Sequence, residues 1–177
     1  MKKYFLCFSV LFFLVACKNE GEKKEAAAVA PAEKSIVTLP YTASYSSSWS
    51  QDVSDADLKM VLQTYKDWEA NNITGLRSAF GDSLIVDMTD GTHLDKKADD
   101  IVKIFTSFRD SLSSVKIDMA AWNKMYSTDK KTGVVATWYD ETDTFKSGKI
   151  DSASYHDINI VKDGKIVYYS QYKRPKK

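Results

Sequence analysis

The sequence predicts an α+β domain in which three helices cover one face of a curved, mainly antiparallel sheet. In the first half of the predicted domain, apolar residues recur every three or four positions, as on a helix with one buried face. In the second half, runs rich in Val, Ile, Tyr, Trp and Thr alternate between apolar and polar residues. Short links that contain glycine join these runs and favour antiparallel neighbours. Helices and strands that are segregated along the chain are typical of the α+β class.

The first helix is predicted to begin near Asp55. Ser54 offers an oxygen to cap the helix, and Asp57 places an acid in the first turn, where the helix dipole favours negative charge. The apolar stripe that follows ends at Asn71 and Asn72. The stripe predicts that this helix packs against the sheet.

The remaining elements give the order α-α-β-α-β-β-β-β. A second short helix and a first strand precede a third helix with a broad apolar face. A meander of four strands then completes the sheet, with Asp163-Gly164 as its strongest hairpin signal. The predicted ranges are 73–80 and 95–113 for these helices, and 84–88, 115–126, 134–145, 150–161 and 165–173 for the strands.

Composition excludes several classes of function. The chain has 177 residues, and its 25 basic and 24 acidic residues give a net charge of +1, so no strong field exists to bind nucleic acid. Two cysteines and two histidines are too few for a Cys/His metal site with several ligands. We expect no nucleic-acid partner, no metal and no cofactor.

The first sixteen residues are predicted to be a signal peptide. Met1-Lys2-Lys3 is followed by an apolar stretch over 4–16, which is shorter than the ~20 residues that a membrane-spanning helix needs. Leu14-Val15-Ala16-Cys17 resembles the lipobox of bacterial lipoproteins. The resemblance implies cleavage before Cys17, lipidation of Cys17, typically with palmitate among the acyl chains, and anchoring in a membrane.

A flexible tether is predicted over 17–53, and the folded domain over 54–174. The segment 22–34 alternates charge with alanine and has no apolar periodicity. Lys18-Asn19-Glu20 partly resembles the export signal of Bacteroidota lipoproteins. That resemblance implies an outer-membrane lipoprotein of a Gram-negative bacterium and leaves open whether it faces the periplasm or the cell surface.

Two stretches of the predicted domain resemble the nuclear transport factor 2 (NTF2)-like group, also called SnoaL-like. They are 63–91, where a helix ends in a polar break before a second helix and a strand, and 155–172, a hairpin with an Asp163-Gly164-Lys165-Ile166 turn. The resemblance implies a cone-shaped domain with an internal pocket. The group includes isomerases, cyclases, dehydratases and non-catalytic binding modules, so the resemblance alone does not assign an activity.

Candidate catalytic residues follow from the chemistry of such enzymes, in which a base removes a proton next to a carbonyl and a phenol or acid stabilises the enolate. His156 and Asp87 are candidate bases, and Tyr139 is a candidate phenol. No local motif aligns a residue of this chain with the catalytic aspartates of the group. A histidine bonded to backbone and an aspartate facing solvent are the commoner roles for such strand residues.

The ligand pocket is predicted to include Trp68, Trp138, His156 and Ile158. We expect the domain to bind a small apolar ligand or a partner without catalysis, because aromatic residues in a cavity suit that role. The alternative is an isomerase or cyclase with His156 or a strand aspartate as its base. A homodimer through the open sheet face is a further expectation.

Overall fold

The structure, a computed structural model, describes residues 39–176. Three helices and seven strands follow one another along this part of the chain. In chain order they are β1 (Trp49–Ser50), α1 (Asp55–Glu69), α2 (Ile73–Ala79), β2 (Phe80–Asp87), β3 (His93–Lys97), α3 (Ala98–Arg109), β4 (Leu112–Ser127), β5 (Thr132–Phe145), β6 (Ile150–Lys162) and β7 (Lys165–Pro175).

The strands form one sheet in the order β1-β4-β5-β6-β7-β2-β3. Every neighbouring pair is antiparallel except β2 and β7, which run parallel. The predicted α+β class and mainly antiparallel sheet are therefore confirmed. Of the residues described, none belongs to a helix long and apolar enough to cross a membrane.

Two strands at the sheet edges were absent from the predicted order. β1 pairs with the end of β4 and lies in the segment predicted as a tether. β3 pairs with β2, and it occupies 93–97, partly where the third helix was predicted to begin. Neither strand has the alternating apolar pattern of a half-buried strand, so only pairing with a neighbour defines them.

The long strands β4 and β5 bend across the helices. Their pairing shifts register between Leu112 and Ser114 and again between Met119 and Ala121. An extra residue on one strand of an antiparallel pair bends that strand and increases its twist. The sheet therefore curves and has an inner face, which the helices cover, and an outer face.

The helices close the inner face with a continuous apolar core. Val61 of α1 and Ile101 of α3 are fully buried, and they share this core with Val135 of β5 and Ile166 of β7. Because side chains alternate along a strand, the residues on either side of an inward-facing residue point outward.

The α1 helix is fixed at both ends. At its start, Ser54 Oγ accepts a hydrogen bond of 3.0 Å from the backbone N–H of Asp57, which confirms the predicted cap. At its end, the buried Arg109 donates from Nε to the carbonyl of Trp68 and from Nη2 to the carbonyl of Glu69, each at 3.0 Å. Carbonyls in the last turn of a helix lack the usual partner four residues on, and the guanidinium, which joins the backbone N–H of Asn71 on the carbonyl of Trp68, ties α1 to α3.

Candidate functional site

A carboxyl group bonded by three phenols occupies the inner face of the sheet. Tyr65 of α1, Tyr139 of β5 and Tyr169 of β7 each donate a hydrogen bond to Oδ2 of Asp157 on β6, at 3.0, 2.8 and 2.9 Å. We call these four residues the tyrosine–carboxyl cluster. It joins the first helix to three adjacent strands.

Neighbouring polar side chains orient the phenols. Gln171 donates from Nε2 to the hydroxyl oxygens of Tyr139 and Tyr169, at 3.1 and 2.8 Å. The hydroxyls of Tyr65 and Thr137 lie 2.7 Å apart. Since the single proton of Tyr65 is donated to Asp157, the hydroxyl of Thr137 acts as donor in this pair.

The environment of Asp157 favours its neutral form. Its side chain is fully buried, and burial raises the pKa of its carboxyl to about 7, although the hydrogen bonds from the phenols act in the opposite direction. Oδ1 of Asp157 is buried without a hydrogen-bond partner. That oxygen is where a proton would reside in the neutral acid.

Two further carboxyl groups lie on the inner face of β5. Glu141 and Asp143 are both buried and stand two residues apart, so they point to the same side of the strand. Burial and the nearby charge of Asp143 raise the pKa of Glu141 to about 8. Burial also raises the pKa of Asp143, although a hydrogen bond with Glu141 and the positive charges of Lys173 and Arg109 partly oppose the rise. Glu141 therefore tends to hold a proton near neutral pH.

An apolar groove lies between α1 and β4, next to the tyrosine–carboxyl cluster. Its volume is about 420 Å³, and Tyr65 belongs to both features. Apolar side chains from the two elements form its walls, and charged or amide side chains of α1 form its rim. The walls are Leu58, Leu62, Tyr65, Ile117, Met119 and Trp122, and the rim is Asp55, Lys59, Gln63 and Lys66.

The structure places three predicted pocket residues on the outer face, away from Asp157 and the groove. Trp138 and His156 stack with ring centroids 4.7 Å apart, and His156 lies 5.9 Å from the ring of Tyr172. Ile158 lies on the same face, two residues further along β6. Pairing of two copies through this partly exposed face stays a prediction.

The other predicted site residues are divided between the two faces. Asp87 is on the outer face, where it accepts hydrogen bonds of 2.6 Å from Tyr168 and from the ring of His93. Trp68 lies on the inner side and packs against Phe105 and Phe108. Tyr139 belongs to the tyrosine–carboxyl cluster. Cys17 lies outside the described residues.

The sequence indicated a strand aspartate as a possible base but did not bring Asp157 and Tyr65 together. The available signal was the position of Asp157 directly beside His156, since alternation makes the two residues point to opposite faces. Within residues 39–176, no group of three or more His, Cys, Asp or Glu side chains is arranged to hold a metal ion.

The buried carboxyls predict that stability falls as pH rises. In the unfolded chain such carboxyls titrate near pH ~4, whereas in the folded protein the pKa values of Asp157 and Glu141 are about 7 and about 8. Between these values the folded state holds protons that the unfolded state has released. The free energy of unfolding should fall by about 1.4 kcal/mol per pH unit for each such carboxyl from pH ~5 to ~7. Urea denaturation at a series of pH values measures this slope.

Asp157→Asn removes one titrating group. The free energy of unfolding of this variant should therefore fall less steeply with pH, by about the 1.4 kcal/mol per pH unit that one carboxyl contributes. Asp82→Asn, at an exposed position on β2, is the matched control and should leave the slope unchanged. Equal slopes for the two variants would contradict the assignment of a buried neutral acid to Asp157.

No known protein family and no curated protein matches the sequence. Solved structures do resemble the domain. An LEH-like epoxide hydrolase from M. tuberculosis superposes with a TM-score of 0.57 at 10% identity, over 67% of this chain and 83% of that protein.

Two NTF2-like proteins of unknown function resemble it to a similar degree. The protein from Burkholderia pseudomallei gives a TM-score of 0.57 at 9% identity, over 68% of this chain and 92% of its own. The protein from Exiguobacterium gives a TM-score of 0.54 at 17% identity, over 65% of this chain and 98% of its own. Identities this low establish a shared fold and no shared activity. The domain therefore has the NTF2-like fold, as the sequence predicts.

Proposed function

We propose that this protein is a lipid-anchored envelope lipoprotein whose NTF2-like domain binds a small apolar or amphipathic molecule without catalysis. The apolar groove between α1 and β4 supports the binding role. Its volume of about 420 Å³ is within the ~300–1,000 Å³ range of small-molecule sites. Its apolar walls and charged rim suit a ligand with an apolar body and a polar end.

Trp122 supports the groove as the binding site. Trp122 is 52% exposed, although it stands on the helix-covered side of β4 beside Met119. An indole ring in such a position offers a large apolar surface that a ligand can cover, with a free energy gain from burial.

The burial of Asp157 supports a role without catalysis. A base must come within hydrogen-bond distance of the proton that it removes. The carboxyl of Asp157 is inaccessible to solvent, and the rings of Tyr65 and Tyr139 that cover it are themselves buried. In this arrangement the cluster ties α1 to the sheet, and a substrate would have to displace a phenol to reach it.

The second candidate is an isomerase- or cyclase-type enzyme with Asp157 as its base. The observation in its favour is a carboxyl whose pKa burial raises to about 7, with three phenols beside it. Perturbed carboxyls of this kind occur at sites of proton transfer. The epoxide hydrolase among the structural neighbours shows that the fold accommodates catalysis.

The groove is tested by titration with dodecanoate and with the fluorescent probe anilinonaphthalene sulfonate. We expect saturable binding to the wild-type chain, and an affinity about tenfold lower for Trp122→Ala, because the variant removes one wall of the groove. Trp138→Ala removes a ring of the same size from the outer face and should bind as the wild type does. Equal losses in both variants, or no saturable binding, would argue against the groove.

Catalysis is tested by deuterium exchange at the carbon next to the carbonyl of 2-cyclohexenone in D₂O, followed by NMR. If Asp157 is a base, Asp157→Asn should lower the exchange rate by about 10²-fold or more. His156→Asn should have no effect, because His156 lies on the outer face. A wild-type rate no higher than that of buffer would reject the enzyme candidate for this type of substrate.

The lipid anchor is tested by membrane fractionation of cells that express the full chain. Cys17→Ala removes the residue to which the acyl chains would attach, so the variant should lose its association with the outer membrane. Cys7→Ala lies within the predicted signal peptide and should leave the association intact. A Cys17→Ala protein that remained in the membrane fraction would contradict lipidation.

A further inference from the structure

Three aromatic side chains near the start of the described chain are exposed. The exposed fractions are 88% for Tyr41, 42% for Tyr45 and 41% for Trp49. Lys130 and Lys131, in the turn between β4 and β5, are exposed beside them, and the ammonium of Lys130 lies 5.8 Å from the centre of the Tyr45 ring. We call these five residues the aromatic patch.

Hydrogen bonds hold Tyr45 and Trp49 of the patch in a defined position. The hydroxyls of Tyr45 and Thr132 are 3.0 Å apart, and Nε1 of Trp49 donates to the carbonyl of Ser46 at 3.3 Å. The backbone N–H of Thr128 donates to the carbonyl of Ser48 at 3.0 Å. The rings of Tyr45 and Trp49 therefore lie together on the β4–β5 turn, with centroids 6.3 Å apart, and are presented to solvent as one surface.

The charges around the patch favour an anionic surface. The turn carries two lysines against one carboxylate, Asp129, which stays charged while it accepts hydrogen bonds from the hydroxyls of Ser46 and Ser127 at 2.5 and 2.7 Å. Trp and Tyr partition to the boundary between lipid headgroups and acyl chains, and nearby Lys side chains reach the phosphates. Each such lysine adds to the attraction to an anionic leaflet.

We propose that the aromatic patch docks the domain on the surface of an anionic lipid bilayer. The inference rests on the proposed lipid anchor, because Cys17 precedes the patch in the chain and brings this end of the domain to the membrane first. A tether makes docking intramolecular, so a surface of modest affinity suffices. The docked domain lies with the β4–β5 turn against the headgroups.

A second exposed apolar surface lies at the opposite end of the β4–β5 hairpin. Ile104 and Phe108 of α3 are 45% and 47% exposed, and Ile150 is 64% exposed, next to Lys146 and Lys149. It lacks exposed Trp or Tyr side chains. This end provides the matched comparison, because docking through it would point the β4–β5 turn away from the membrane.

The experiment uses the full processed chain, purified from membranes and reconstituted in vesicles of phosphatidylethanolamine and phosphatidylglycerol with brominated acyl chains. The only cysteines of the sequence are Cys7 and Cys17, so one added thiol can be labelled selectively once Cys7 is cleaved off and Cys17 is lipidated. Ser47→Cys, between Tyr45 and Trp49, and Ser147→Cys, in the β5–β6 turn, are both exposed positions for a nitrobenzoxadiazole label.

We expect the bromines to quench the label at position 47 about threefold more strongly than the label at position 147. Tyr45→Ala with Trp49→Ala should remove this difference while the protein remains bound through its lipid. Ile104→Ala with Ile150→Ala should preserve it. Equal quenching at 47 and 147, or quenching at 47 that survives the double aromatic variant, overturns docking and leaves the anchor standing. A chain that does not associate with the vesicles at all overturns both.

Discussion

The architecture depends on how one buried carboxyl group is satisfied. Asp157 lies on β6, and Tyr139 of β5 and Tyr169 of β7 donate hydrogen bonds to its Oδ2 from either side. The phenol of Tyr65 brings α1 to the same oxygen. A buried carboxyl group without partners would be costly, and three hydrogen bonds to Oδ2 offset part of that cost, while burial favours the protonated form. Fixing α1 at this point also fixes the distance between its apolar stripe and β4. The groove beside Tyr65 is a direct consequence.

The groove and the tyrosine–carboxyl cluster share Tyr65 but differ in accessibility. The groove is open and apolar, while the cluster is polar and closed to solvent. This difference is the physical basis for proposing ligand binding before catalysis. Tyr65 also connects the groove to the buried acid, because a ligand in the groove would touch its ring, and its hydroxyl donates a hydrogen bond to Asp157. Movement of that ring would change the environment of the acid.

Opposite ends of the domain carry different surfaces. The β4–β5 turn presents Tyr45, Trp49 and two lysines, while the opposite end presents Ile104, Phe108 and Ile150 with lysines. The outer face of the sheet adds a row of three rings across β5, β6 and β7. The groove between α1 and β4 and the ring row on the outer face share no residue with the aromatic patch.

Periodicity along the sequence determined the fold class, the positions of all three helices and the four-strand meander, because burial of one face imposes a pattern that the chain itself carries. It did not determine β1 and β3, which are polar edge strands defined by their partners. Alternation placed His156 and Asp157 on opposite faces, but which of those faces is covered depends on where α1 packs. The meeting of Tyr65, Tyr139, Tyr169 and Asp157, which are far apart in sequence, and the groove between α1 and β4 were decided by tertiary structure alone, because hydrogen-bond geometry and the space between two elements depend on how distant segments pack together.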